Sequence, residues 1–199
     1  MKILTVLLAL VAFTYSCETN RCHCPIDDKI IEENDSTLRT LTRNGDFKGQ
    51  WQKFDEPILF QQNKEAYRFY YRALPSDFFK LYRIEKNVND YTLYIKEFAV
   101  ADSEKATLKK NNSRKLNEAE WSAITQVMDN KCFWTMPVVP KPNKEYLDAT
   151  TLIIEGFKPE NNNCTQAKYH LVARIEVENA ASFVSIMEAF EALEGKAAH

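Results

Sequence analysis

Residues 65 to 99 read EAYRFYYRALPSDFFKLYRIEKNVNDYTLYIKEFA, and this stretch decides the fold. In its first third, Tyr67, Phe69, Tyr71 and Ala73 alternate with Arg68, Tyr70 and Arg72. A period of two, rich in aromatics, marks a strand with two different faces. Pro75-Ser76-Asp77 interrupts the pattern. Phe78 to Glu85 resumes it, with Phe79, Leu81 and Arg83 opposite Lys80, Tyr82 and Ile84. Asn87 to Asp90 turns again, and Tyr91 to Ala99 makes a third strand. Connections this short join antiparallel neighbours. The basic residues set between aromatics predict a sheet with one face on a core and one wetter face.

Toward the C-terminus, residues 102 to 115 carry Lys105, Lys109, Lys110, Arg114 and Lys115 and read as a polar surface loop. A helix opens at Asn117, a good N-cap, with Glu120 three residues on for a capping box. Leu116 and Trp121 are placed to staple its start, and Trp121, Ile124, Val127 and Met128 share one face. Asn130 and Lys131 suit its end. Pro137, Pro140 and Pro142 make residues 133 to 147 an extended loop. Two more strands, Ala149 to Phe157 and Lys168 to Ile175, flank a turn region at Glu160 to Asn163. Asn179 is placed to cap a last helix from about Ala180 to Leu193, with Phe183, Ile186, Met187, Phe190 and Leu193 as its stripe and Gly195 as its stop. The expectation is one α+β domain over residues 51–199. Its order is β-β-β-α-β-β-α, a mostly antiparallel five-stranded sheet with two helices packed on one face.

Toward the N-terminus the chain changes character. Lys2 precedes a run from Ile3 to Phe13 that is broken only by Thr5. The run is shorter than the ~20 residues needed to span hydrocarbon, and it has the form of a secretory signal over residues 1–16. Ser16 precedes Cys17 as in a bacterial lipobox, although Thr14 stands where Leu is usual. Cys17 is therefore the expected lipid attachment, a palmitate-type anchor to the membrane, with plain secretion as the rival. Residues 17–50, with Asp27-Asp28, Glu32-Glu33 and Asp35, read as an acidic tether.

The chain has 5 cysteines, and acylation of Cys17 leaves four. Four allow three pairings that sequence does not choose between. The expected pair is Cys132 with Cys164, each beside a predicted element. Cys22-His23-Cys24 gives too few ligands for a structural zinc site, so no metal is expected and the segment reads as a thiol-bearing part of the tether.

Catalytic raw material is sparse. Of 3 histidines only His170, beside Tyr169, sits on a predicted element, and it reads as a satisfied or exposed strand residue. Asp148 precedes the fourth strand and reads first as a turn residue. Asp148, Tyr169 and His170 are the candidate ligand-site residues. No cofactor is expected, because 4 glycines leave no material for nucleotide loops. Net charge is −2 with a pI near 6.0, which excludes the positive field of a nucleic-acid binder. The basic residues from Arg68 to Lys86 are then a solvated sheet face.

Leu116-x-Glu118-x-Glu120-Trp121, Phe133-Trp134 with Pro137, Leu147-Asp148-Ala149, Glu155-Gly156 and Tyr169-His170 together resemble a family of uncharacterised bacterial exported or lipid-anchored proteins. The resemblance covers residues 116 to 175, with Ala149 in place of the usual Gly. It implies a bacterial origin and an α+β fold, and it carries no activity. The expected role is a non-catalytic cell-envelope lipoprotein that binds a protein or ligand through the open sheet face. The alternatives are a small secreted hydrolase or thiol enzyme built on His170, Asp148 and a free cysteine, and an envelope inhibitor or immunity protein.

Overall fold

A computed structural model describes residues 24, 28–43, 45–73, 78–88, 90–100, 106–139, 150–160, 168–175 and 180–195. Two helices, α1 (Asp28–Arg43) and α2 (Gly45–Lys53), precede the sheet. The aromatic stretch then forms β1 (Ala66–Ala73), β2 (Phe78–Lys86) and β3 (Tyr91–Val100), as its alternation predicts. β4 (Ala106–Leu116) and α3 (Glu118–Asn130) follow. β5 (Thr151–Lys158), β6 (Lys168–Ile175) and α4 (Ala181–Gly195) complete the order. The six strands lie in the order β4-β3-β2-β1-β5-β6, every neighbour antiparallel.

The α+β class holds, with one strand more than expected. β4 occupies the segment whose composition reads as a polar loop. It is an edge strand bonded only to β3, and most of its residues face water. An edge strand needs no apolar alternation, and its lysines protect it from pairing with other chains. β5, β6, α3 and α4 follow the sequence. Asn117 Oδ1 accepts from the Glu120 amide at 2.9 Å, and Glu120 Oε2 accepts from the Asn117 amide at 3.0 Å. This is the predicted capping box, and Leu116 and Trp121 beside it are both buried.

Side-chain alternation splits the sheet into two faces. On the first, Tyr67, Phe69, Ile84, Leu93, Ile154 and Val172 pack under α3 and α4 with Trp121, Ile124, Phe183, Ile186 and Phe190. The second is not the wetter face that the alternation predicts, because a further layer covers it. Trp51, Phe54 and Ile58 lie over Tyr70, Phe79, Leu81 and Phe98, with Leu38 and Leu41 of α1 beside them. A helical turn at Leu59–Gln61 buries Leu59 against Ala66 and Phe157.

The segment with the composition of a tether therefore supplies the second layer. α1 carries a stripe of Ile30, Asn34, Leu38 and Leu41 at spacings of four, four and three. The stripe hides in the sequence because its second member is polar. Asn34 is buried, and its amide donates to the Met136 carbonyl at 2.9 Å and accepts from the Val138 amide at 2.8 Å. Two backbone partners satisfy the side chain, which is what burial of an amide requires. The Val138 carbonyl in turn accepts from the Ala173 amide at 2.8 Å, so residues 136–138 cover the outer edge of β6.

The disulfide differs from the expected Cys132–Cys164 pair. Cys24 is bonded to Cys132, with Cα atoms 5.5 Å apart across a sequence separation of 108. Cys132 sits just past α3 in the left-handed region at φ 59, and there it meets Cys24. Adjacency to predicted elements does not reveal this, because the pairing depends on where α1 docks. Cys164, Asp148, Asn179 and residues 1–23, including Cys17, lie outside the described residues.

Candidate functional site

The structure separates the candidate residues of β6. His170 and Tyr169 are neighbours on a strand and so point to opposite faces. His170 is buried on the first face, where its Nε2–H donates to the Met136 carbonyl at 2.9 Å and its ring stands edge-on to Phe133. Burial depresses its pKa to about 4, only partly opposed by the Met136 hydrogen bond. It is a neutral structural imidazole at pH 7 rather than a base poised near that pH. Tyr169 lies on the second face, where its hydroxyl donates to Glu155 Oε1 at 2.7 Å. Burial, reinforced by Glu155, pushes its pKa well up. Cys132 is held in the disulfide, which removes it as a nucleophile, and Cys24 likewise is not available as a metal thiolate.

Several residues of the motifs singled out in the sequence meet at one place, Leu147-Asp148-Ala149 lying outside the described residues. A Cβ added to Gly156 would lie 2.8 Å from Phe133, 3.1 Å from Trp134 and 3.1 Å from Tyr67. The glycine on β5 leaves room for the aromatic turn that follows Cys132. Trp134 donates from Nε1 to Asp129 Oδ1 at 3.1 Å, and Tyr67 packs on both Trp134 and Trp121. Phe133, Trp134, Gly156 and His170 thus form a joint between helix, turn and sheet, while Glu155 and Tyr169 point to the second face.

A second cluster does not show as a pattern in the sequence. Glu56 follows α2 after a turn in which Asp55 adopts φ 51. The turn aims Glu56 into the second face, where it is fully enclosed between three cations. Its Oε2 accepts from Arg83 Nε at 2.8 Å and Arg68 Nη1 at 3.3 Å, and its Oε1 pairs with Lys96 Nζ at 2.9 Å. Lys96 also donates to the Asp55 carbonyl at 2.7 Å. Arg68 pairs with Glu155 and lies over the Trp51 ring at 3.7 Å, while Arg83 pairs with Glu85 and lies over Tyr94 at 4.0 Å. Arg68, Arg83 and Lys96 balance Glu56, Glu85 and Glu155, so the buried group is neutral. The signal for it is the cross-strand placement of Arg68, Glu155 and Arg83 at one register level, and that emerges only once the strands are paired.

An opening on the first face lies at the β3–β4 edge, where α4 ends. Leu93 and Ile95 floor a groove of about 570 Å³ walled by Lys110, Asn112, Arg114 and Glu194. Glu194 accepts from Lys80 at 2.5 Å, Tyr82 at 2.8 Å and Lys110 at 3.1 Å. Burial pushes its carboxyl up, but these hydrogen bonds outweigh it and bring the pKa down to about 2. Arg114 makes two bonds to Glu120, at 3.1 and 2.9 Å, and one to the Leu193 carbonyl at 2.7 Å. An apolar floor with fixed polar walls suits binding of a ligand or a partner side chain. Every charged group here has an internal partner, which suits binding more than proton transfer.

No family model matches the chain, and no curated protein matches it. Among the described residues no group of three or more His, Cys, Asp or Glu side chains is placed to hold a metal ion.

Proposed function

We propose that this protein is a non-catalytic cell-envelope lipoprotein, a binding module moored by acyl chains on Cys17. The observation that carries the reading is the Cys24–Cys132 disulfide, which lies eight residues after the end of the signal-like segment. Stable disulfides belong to oxidising compartments, the same destination that the N-terminal segment specifies. Among the described residues no helix is long and apolar enough to cross a membrane, and a two-chain lipid anchor would hold the domain at one. Of the groups the alternative hydrolase or thiol enzyme would use, His170 is engaged in packing and Cys132 in the disulfide, while Asp148 lies outside the described residues. The groove at the β3–β4 edge is the binding surface of this reading, replacing the sheet face that α2 covers.

The test is mass analysis of the mature protein extracted from membranes, with and without reduction. An N-terminal peptide that begins at Cys17 with added acyl mass, together with a Cys24–Cys132 cross-linked peptide, is expected. An unmodified N-terminus beginning elsewhere removes the anchor. A Cys132 that reacts with a thiol reagent before reduction restores the thiol enzyme.

A further inference from the structure

The distance between the anchor and the folded domain is set by covalent chain. Cys17 and Cys24 are separated by 24 − 17 = 7 residues. At the ~3.6 Å per residue of a fully extended chain, the leash is at most about 25 Å long. Its far end is fixed, because Cys24 is bonded to Cys132 just past α3. A domain of about 175 residues has a radius of gyration near ~16 Å and is about 40 Å across. The leash is shorter than the domain is wide, so the domain cannot turn its opposite end to the bilayer.

The end that carries the disulfide is identifiable. Cys24 Sγ lies 3.8 Å from the Asp129 carbonyl, and Asp129 pairs with Lys158 at the end of β5 at 3.6 Å. Lys158 also walls a cleft of about 530 Å³ with Lys64, Lys86 and Val88. Val88, on the turn between β2 and β3, is 95% exposed. Three of the acids at this end have partners within the protein: Asp129 has Lys158, Asp90 has Lys115, and Glu65 accepts from the Tyr67 hydroxyl at 2.6 Å. The other end of the sheet holds Phe78 and the end of β6 at Ile175, which is 54% exposed.

We infer that the sheet end formed by the β2–β3 turn, the end of β5 and the Cys24–Cys132 bridge docks against the bilayer that holds the Cys17 acyl chains. The inference rests on the lipoprotein reading above. The exposed Lys86 of that end meets lipid phosphates and Val88 meets the interface, while the β3–β4 groove and the far end of the sheet stay clear of the headgroups.

The experiment uses the full-length lipidated protein in vesicles of phosphatidylethanolamine and phosphatidylglycerol. The photoreactive residue p-benzoylphenylalanine replaces either Val88 or Ile175, both on the surface. Lipid adducts are expected at position 88 and none above background at position 175. Equal labelling, or labelling of position 175 alone, in a sample whose N-terminal peptide carries acyl mass overturns the docking geometry and leaves the anchor standing. A sample without acyl mass overturns the anchor, and the docking geometry falls with it.

Discussion

Arg68 and Phe69 are consecutive residues of one strand, and both are completely buried, yet they enter two different kinds of interior. Phe69 points to a face closed by α3 and α4, where it stacks on Tyr82 and meets Phe190. Arg68 points to a face closed by α2 and the turn after it, where Glu56, Glu155 and Trp51 surround its guanidinium. The first face needs only apolar surface of the right shape, and its stabilisation scales with area removed from water. The second buries six charges, each of which loses hydration that only a well-placed counter-charge returns. The two faces therefore fail differently. The apolar face tolerates volume-conserving changes, whereas the ionic face depends on every partner being present.

The sharpest break in this contrast is removal of Glu56. Glu56→Ala leaves Arg68, Arg83 and Lys96 facing one another with one buried counter-charge fewer, and it should cost about 3–5 kcal/mol. The readout is the urea midpoint, and Glu56→Gln, which keeps the shape, should recover little of the loss. If the loss stays below about 1 kcal/mol, the cluster behaves as surface pairs do and the distinction between the faces collapses.

His170 tests the apolar face, because it is a basic group held neutral there. Its pKa lies at about 4 in the folded protein against 6.5 for the ordinary side chain. The unfolded chain takes up a proton first as pH falls. The contribution is therefore complete above pH 6.5 and is lost as pH drops toward 4. A tenfold change in proton affinity is worth about 1.4 kcal/mol, which makes the loss of order ~3 kcal/mol. Unfolding measured at about pH 7 and about pH 4.5 should show a steeper decline for the native protein than for His170→Gln. Parallel declines in the two would mean that the imidazole is not kept neutral by its surroundings.

The smallest effect is expected at the joint. Gly156→Ala drives a methyl group against Phe133, Trp134 and Tyr67, and it should cost about 1–3 kcal/mol with a changed near-ultraviolet dichroism from the displaced Trp134. Unchanged stability and spectrum would show that the aromatic turn moves aside freely and that the glycine is not needed for the close approach.

Much of the first face is legible in the sequence. Alternation in β1 to β3, the capping box at Asn117 and the stripe of α4 are local patterns, and local patterns follow from side-chain period and backbone bonding alone. The second face is not legible in this way. β4 lacks apolar alternation because an edge strand has water on one flank, and α1 conceals its stripe behind Asn34. The candidate residues show the same divide. Tyr169 and His170 look like a pair in sequence, and the pleat places them in separate interiors.

The sequence by itself determined the α+β class, the alternation of β1 to β3, the apolar stripes of α3 and α4, and the expectation of export from its first sixteen residues. Only the tertiary structure decided that residues 28–53 close the second face, that Cys24 rather than Cys164 bonds Cys132, and that Glu56 neutralises three buried cations. Each of these joins groups far apart in the chain. Their worth depends on desolvation and on close distance between partners, and neither quantity exists until the layers have docked.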